Sequence, residues 1–246
     1  MVEGVHFLPE QDPADVAWKL VSVNMSDLAA KGADPVGVLL GYMTGDNEAR
    51  FLEGLEQALA HYGVPLLGGD TVAARGPQVL GLTAIGRASH VPVPSRSGAR
   101  PGDGVFVTGA LGGAMAGFEA LQSGSGDSLA YRRPEARLQE GTALAPLVSA
   151  MMDISDGLLL DAWRMARASG VTLALDSDTI PLAVPASRRD EALRWGDDYE
   201  LLFCAANGTA LPVAATRIGT AMPSGPAPLL LDGVPFADPD GLGYQH

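Results

Sequence analysis

Residues 90–104, HVPVPSRSGARPGDG, divide this chain more sharply than any other stretch. Proline fixes its own backbone angle and removes a hydrogen-bond donor, and glycine is costly to order. A run built from Pro, Gly and Ser therefore interrupts both helices and sheets. On either side the apolar pattern restarts. The chain is expected to fold as two α/β (α+β) domains, residues 1–90 and 104–246, joined by a linker at 91–103. With 246 residues, 47% of them apolar, both halves have material for a core.

Helix and strand signals alternate before the linker. Asp12-Pro13 opens a helix, with Asp12 as the cap and Pro13 in the first turn. That helix carries Val16, Leu20, Val23, Asn24 and Asp27 and stops near Gly32. Residues 36–43 read as a buried strand. Residues 47–62 read as an amphipathic helix with Phe51, Leu55, Ala58, Leu59 and Tyr62 on one face. Strands follow at 64–69 and 78–86. Beyond the linker the pattern predicts a strand at 104–109, a helix at 112–122 and a polar loop at 123–128. A helix from near Pro134 and one headed by Asp156-Gly157 come next, with strands at 171–176, 199–205 and 228–232.

A net charge of −13 argues against nucleic acid, since phosphate-backbone binding needs a basic face. No apolar stretch reaches the ~18 residues needed to span a membrane, and no signal peptide is visible. The chain reads as cytoplasmic. Its single cysteine, Cys204, follows an apolar run and reads as a buried hydrophobe.

The chemistry lies in aspartates set among small residues: Asp27 in NMSDLAAKGA, Asp70 in LLGGDT, Asp153 and Asp156 in MDISDGL, and Asp197 with Asp198 in WGDDYELL. Carboxylates in such settings suit hard divalent cations, and Mg²⁺ usually arrives with substrate phosphates. The chain has two lysines, Lys19 and Lys31, and no GxxxxGK[ST] loop. A nucleotide here would need metal ions to neutralise its phosphates. Each motif also has a plainer reading. An Asp at the start of a helix is a cap worth about 1 kcal/mol, which accounts for one aspartate of DISDG but not both. Gly-Asp-Thr is an ordinary loop triplet. Asp27 opposes the helix dipole, and either Lys31 or a metal would compensate it. In GDDYE, adjacent side chains on an extended chain face opposite ways, so one of the two acids serves a site and the other is a solvated turn residue. His6 reads first as a structural histidine. Arg96, flanked by Ser95, Ser97 and Gly98, suits either phosphate contact or a solvated linker.

Taken in order, VEGVHF, VNMSDLAAKGADP, LLGGDT, RSGARPGD, VFVTGALGG, MDISDGLLLD and GDDYELLF resemble the thiamine-monophosphate kinase family. The wider group includes aminoimidazole-ribonucleotide synthetase and selenophosphate synthetase. The resemblance implies an N-terminal half-barrel-forming domain that pairs with a second copy, a C-terminal α/β domain, and a homodimer. It implies ATP-dependent phosphorylation of thiamine monophosphate to thiamine diphosphate. It places Mg²⁺ ligands at Asp27, Asp70, Asp153 and Asp156, ATP contacts at Gly69, Asp70, Arg96 and Ser155, and substrate contacts at His6, Asp197 and Tyr244. Two departures stand out. The family usually has Glu where this chain has Asp197. The chain also starts inside the family's first conserved block, without the upstream Gly-Asp-Asp and Thr-Asp segments. The rival expectations are a related ATP-dependent enzyme acting on a purine intermediate, or an inactive nucleotide-binding remnant.

Overall fold

The computed structural model describes residues 1–245. The first half contains α1 (Pro13–Ala29), β1 (Ala33–Met43), α2 (Glu48–Tyr62), β2 (Leu66–Val72) and β3 (Leu80–Ala88). Helix α1 starts as its sequence requires: the Asp12 carboxylate accepts from the Ala14 amide at 2.9 Å, and Pro13 occupies the first turn. Strand β1 is central in a three-stranded sheet of order β2-β1-β3, parallel to β2 and antiparallel to β3. One face of this sheet is closed by Val16, Leu20, Val21, Phe51 and Leu55 from the two helices. The opposite face stays open, with Leu39 and Ile85 exposed, and every residue of β2 is exposed.

The second half contains β4 (Gly104–Val107), α3 (Gly113–Ser123), α4 (Leu129–Arg132), α5 (Leu138–Leu144), β5 (Val148–Asp153), α6 (Leu158–Ser169), β6 (Val171–Leu175), α7 (Arg189–Arg194), β7 (Leu201–Ala205), β8 (Thr216–Pro223), β9 (Leu229–Leu231) and β10 (Val234–Phe236). Its strands form a seven-stranded mixed sheet of order β10-β9-β6-β8-β4-β7-β5, in which only β6 and β9 pair in parallel. The two-residue period of β7 divides its side chains between two cores. Leu202 and Cys204 pack with α6, while Leu201, Phe203 and Ala205 pack with Leu144, with Ala29 of α1 and with Ala30 just after it. Burial pushes the Cys204 thiol up to about 12, consistent with an inert hydrophobe.

Helix α1 joins the halves. It is buried on almost every side, and its second face meets α4 and α5. A methyl group on Gly141 of α5 would lie 2.0 Å from the Ala29 carbonyl oxygen, so this crossing requires a glycine. Trp18 Nε1 donates to the Pro134 carbonyl at 3.3 Å.

The structure differs from the sequence pattern at several places. No helix starts at Pro134: α4 ends before it and α5 begins after it. The residue preceding a proline is pushed out of the helical region, and Arg133 has φ −133° and ψ 67°. Strands β8 and β10 and helix α7 carried no clear sequence signal. The linker is also pinned: Ser169 Oγ donates to the Arg96 carbonyl and accepts from the Gly98 and Ala99 amides. Among the described residues no helix is long and apolar enough to cross a membrane.

Candidate functional site

The turn DISDG, between β5 and α6, organises the site. Its backbone is held from three directions. The Ile154 amide donates to the Glu200 carbonyl at 2.8 Å, and the Tyr199 and Asp197 amides donate back to Ile154 and Ser155 carbonyls, each at 2.9 Å. From below, Asp161 Oδ2 accepts from the Ser155 and Asp156 amides at 3.1 and 3.0 Å. Burial raises the Asp161 pKa to about 7. From the C-terminus, the Tyr244 amide donates to the Asp156 carbonyl at 2.9 Å. There the chains approach so closely that a methyl group on Gly243 would lie 2.2 Å from the Asp156 oxygen. Asp197 and Tyr199 have φ of 66° and 51°, the left-handed region that non-glycine residues seldom adopt. These bonds hold them there.

The converging segments enclose a cleft of about 570 Å³. His6, Asp197 and Tyr244 all line it, together with Ser155 and Asp156. Its walls are aromatic. Phe118 packs edge-on against Tyr131 at 5.1 Å between ring centres and lies 5.4 Å from Trp195. His6 Nδ1 accepts from the Val2 amide at 3.0 Å, which turns the imidazole and leaves the ring at the cleft wall. The Asp156 carboxylate pairs with Arg164, which also bonds Asp161.

Asp153, three residues before Asp156, faces another group. Ser26 Oγ of α1 donates to its Oδ2 at 2.7 Å. Burial, opposed by the Ser26 hydrogen bond and aided by the negative charge of Asp27, raises the Asp153 pKa to about 6. Asp27 is itself pushed up by desolvation, while Lys31 and Arg96 pull it down. Lys31 is lowered by burial first and by Arg96 second, with Asp153 and Asp27 opposing. Two carboxylates and two cations thus share one electrostatic neighbourhood. Asp27 and Asp153 offer hard oxygen donors to a divalent cation, which would relieve their mutual repulsion. Among the described residues no group of three or more His, Cys, Asp or Glu side chains is close enough to hold a metal by itself. Phosphate oxygens and water would have to complete such a shell, as is usual for Mg²⁺.

Of the residues singled out in the sequence, one set meets in the cleft and a second meets around Asp153. Gly69 and Asp70 join neither set. They lie on the exposed edge strand β2, with Asp70 opposite Gly41. Asp198 is no solvated turn residue: its carboxylate accepts from the Gly112 and Ala114 amides at 2.9 and 3.3 Å and caps α3. Lys19, Tyr131 and Trp195 carry no motif and were missed. The one available signal was a lysine inside the apolar run AWKLV.

The family models for AIR synthase related protein match both halves, the N-terminal domain over residues 1–88 and the C-terminal domain over 100–217. Thiamine-monophosphate kinase of Escherichia coli strain K12 is 37% identical, the match covering 99% of this chain and 79% of that protein. The Caulobacter vibrioides enzyme of the same name is 37% identical over 89% of this chain and 69% of its own. The crystal structure of thiamine monophosphate kinase from Aquifex aeolicus superposes with a TM-score of 0.86 at 31% identity, covering 97% of this chain and 87% of that one. A further structure, AaThiL complexed with AMPPCP and TMP, also gives 0.86, at 30% identity, covering 97% and 83%. With motifs, domain matches and fold in agreement over nearly its whole length, this chain belongs to the thiamine-monophosphate kinase family.

Proposed function

We propose that the chain transfers the γ-phosphoryl group of ATP to thiamine monophosphate, giving thiamine diphosphate and ADP. The observation that carries this reading is the convergence of His6, Ser155, Asp156, Asp197 and Tyr244 on one aromatic-walled cleft. A relative of the same fold is known with AMPPCP and TMP bound together. In the reaction a phosphate oxygen of thiamine monophosphate forms a bond to the γ-phosphorus, while the bond to the β,γ-bridging oxygen breaks and its electrons leave with ADP. The nucleophile is already ionised at neutral pH, so the site needs no strong general base. Alignment and charge neutralisation supply the rate.

In this reading Tyr244 and the neighbouring aromatic rings flank the flat rings of the substrate, and Asp197 and His6 fix its polar edge. Ser155 meets the nucleotide, and Lys31 and Arg96 neutralise phosphate oxygens. Asp27 and Asp153 would hold Mg²⁺, which when bound offsets the charge of two anionic reactants. Asp156 would join them by exchanging its ion pair with Arg164, and Asp70 and Gly69 would reach the nucleotide from β2. The domains would divide near residues 90 and 104. The protein would act as a cytoplasmic homodimer.

The test is ADP release with thiamine monophosphate as acceptor, coupled to direct detection of thiamine diphosphate. Turnover is expected with Mg²⁺ and is lost with excess chelator. ATP hydrolysis without thiamine diphosphate, or acceptance only of a purine intermediate, would overturn the assignment.

A further inference from the structure

The buried ammonium of Lys19 ties together parts of the cleft that come from both halves of the chain. Lys19 is 1% exposed, within α1. Its Nζ donates to Asp197 Oδ2 at 2.7 Å and to the His6 carbonyl at 3.3 Å, and sits 3.8 Å from the centre of the Tyr131 ring. His6, Tyr131 and Asp197 lie on three separate segments, and all three line the cleft. Two further bonds close the set. The Tyr199 hydroxyl donates to Asp197 Oδ1 at 2.8 Å, and the Tyr131 hydroxyl donates to the His6 carbonyl at 3.5 Å.

An apolar side chain of similar length would fill this position without the penalty of burying a charge. Desolvation does lower the Lys19 pKa, and Asp197 acts against it. The ammonium is therefore poor as a source of stability and effective as a fixed point. It holds one oxygen of Asp197 while the side chain remains 30% exposed toward the cleft. It also locks Tyr131, the ring that supports Phe118.

We propose that Lys19 is a positioning residue of the acceptor subsite. It sets the Asp197 carboxylate, the Tyr131 ring and the His6 segment in one rigid wall, and so governs recognition of thiamine monophosphate rather than of ATP. A carboxylate held beside aromatic faces suits a flat cationic ring, and the thiazolium of thiamine is one. This inference rests on the kinase reading above.

Lys19→Met keeps the length and apolar stem of the side chain but removes its charge. In steady-state assays KM for thiamine monophosphate is expected to rise about tenfold or more while KM for ATP changes less than about twofold. Asp197→Asn should raise the same KM. In the double variant the second change should add less than about twofold, because both break one linkage. A merely structural lysine would instead lower the melting temperature and the active fraction, with both KM values unmoved. That result, equal rises in both KM values, or fully multiplicative effects in the double variant would overturn the proposal. Should Lys19→Met fail to fold, Tyr131→Leu removes the ring beneath the ammonium, and an unchanged thiamine monophosphate KM overturns it equally. Titrating intrinsic fluorescence, to which Trp195 in the cleft contributes, measures binding without turnover. Native protein that neither binds nor phosphorylates thiamine monophosphate would refute the kinase reading. Native binding with unaffected variants would refute only the role of Lys19.

Discussion

Asp197 and Asp198 are neighbours in sequence with opposite duties. Asp197 faces the cleft, pinned by Lys19 and Tyr199, while Asp198 turns inward to cap α3. Burial pushes the Asp198 carboxyl up to about 7, its two amide bonds opposing the rise. The sign of the resulting pH dependence follows. Between its unfolded value near 3.8 and about 7, the unfolded chain has released this proton and the folded chain keeps it. The contribution is therefore complete at low pH and is lost as pH rises through about 7. Asp198→Asn keeps an acceptor for α3 and cannot ionise. The difference in melting temperature, variant minus native, is expected to be more favourable at pH 8 than at pH 5. Parallel melts at the two pH values would show that Asp198 is not charged against its burial. At this scale the sequence anticipated that the two acids would part, and Asp197 alone lines the cleft, although a left-handed backbone at Asp197 rather than extended alternation separates them. It could not disclose the cap, because the amides that need it lie more than eighty positions away in the chain.

At the scale of elements, the C-terminal tail forms part of the cleft wall. Its approach to the DISDG turn leaves no room for a side chain on Gly243. Gly243→Ala must displace the tail and Tyr244 with it. A shift of ~1 Å at a substrate contact is enough to lower kcat/KM for thiamine monophosphate about tenfold or more. The melting temperature should fall by only a few degrees. Unchanged kinetics would remove Tyr244 from the acceptor subsite. The long elements α2, α6 and β1 were legible because burial of one face dictates their composition, and α1 because its Asp12-Pro13 start marks a helix. The DISDG turn was legible too, because two carboxylates exceed what one cap explains. Strand β8 was not: TRIGTAMP alternates poorly and is held in place by pairing with β4 and β6. The cleft's aromatic walls were equally hidden, since Phe118, Tyr131 and Trp195 come together only through packing between separate helices.

For the whole molecule, the open face of the first sheet is the feature on which the proposed dimer rests. Strand β2 is an unpaired edge, with Leu66, Leu67 and Val72 about half exposed. Such an edge invites another strand, and a second copy carries the same edge. Native protein is expected to run at twice the chain mass in light scattering at micromolar concentration. Leu67→Lys should convert it to monomer with its helix content retained. Monomeric native protein would refute the dimer.

Helix α1 has a consequence of another kind. It closes the core of the first sheet, and through Lys19 and Ser26 it also braces the cleft and the Asp153 group. Occupancy of the cleft and cohesion of the two halves are therefore coupled, and a ligand that binds only when the two halves are packed together must strengthen the joint. Backbone amides along α1, far from any nucleotide contact, should then exchange with deuterium more slowly once substrates are added.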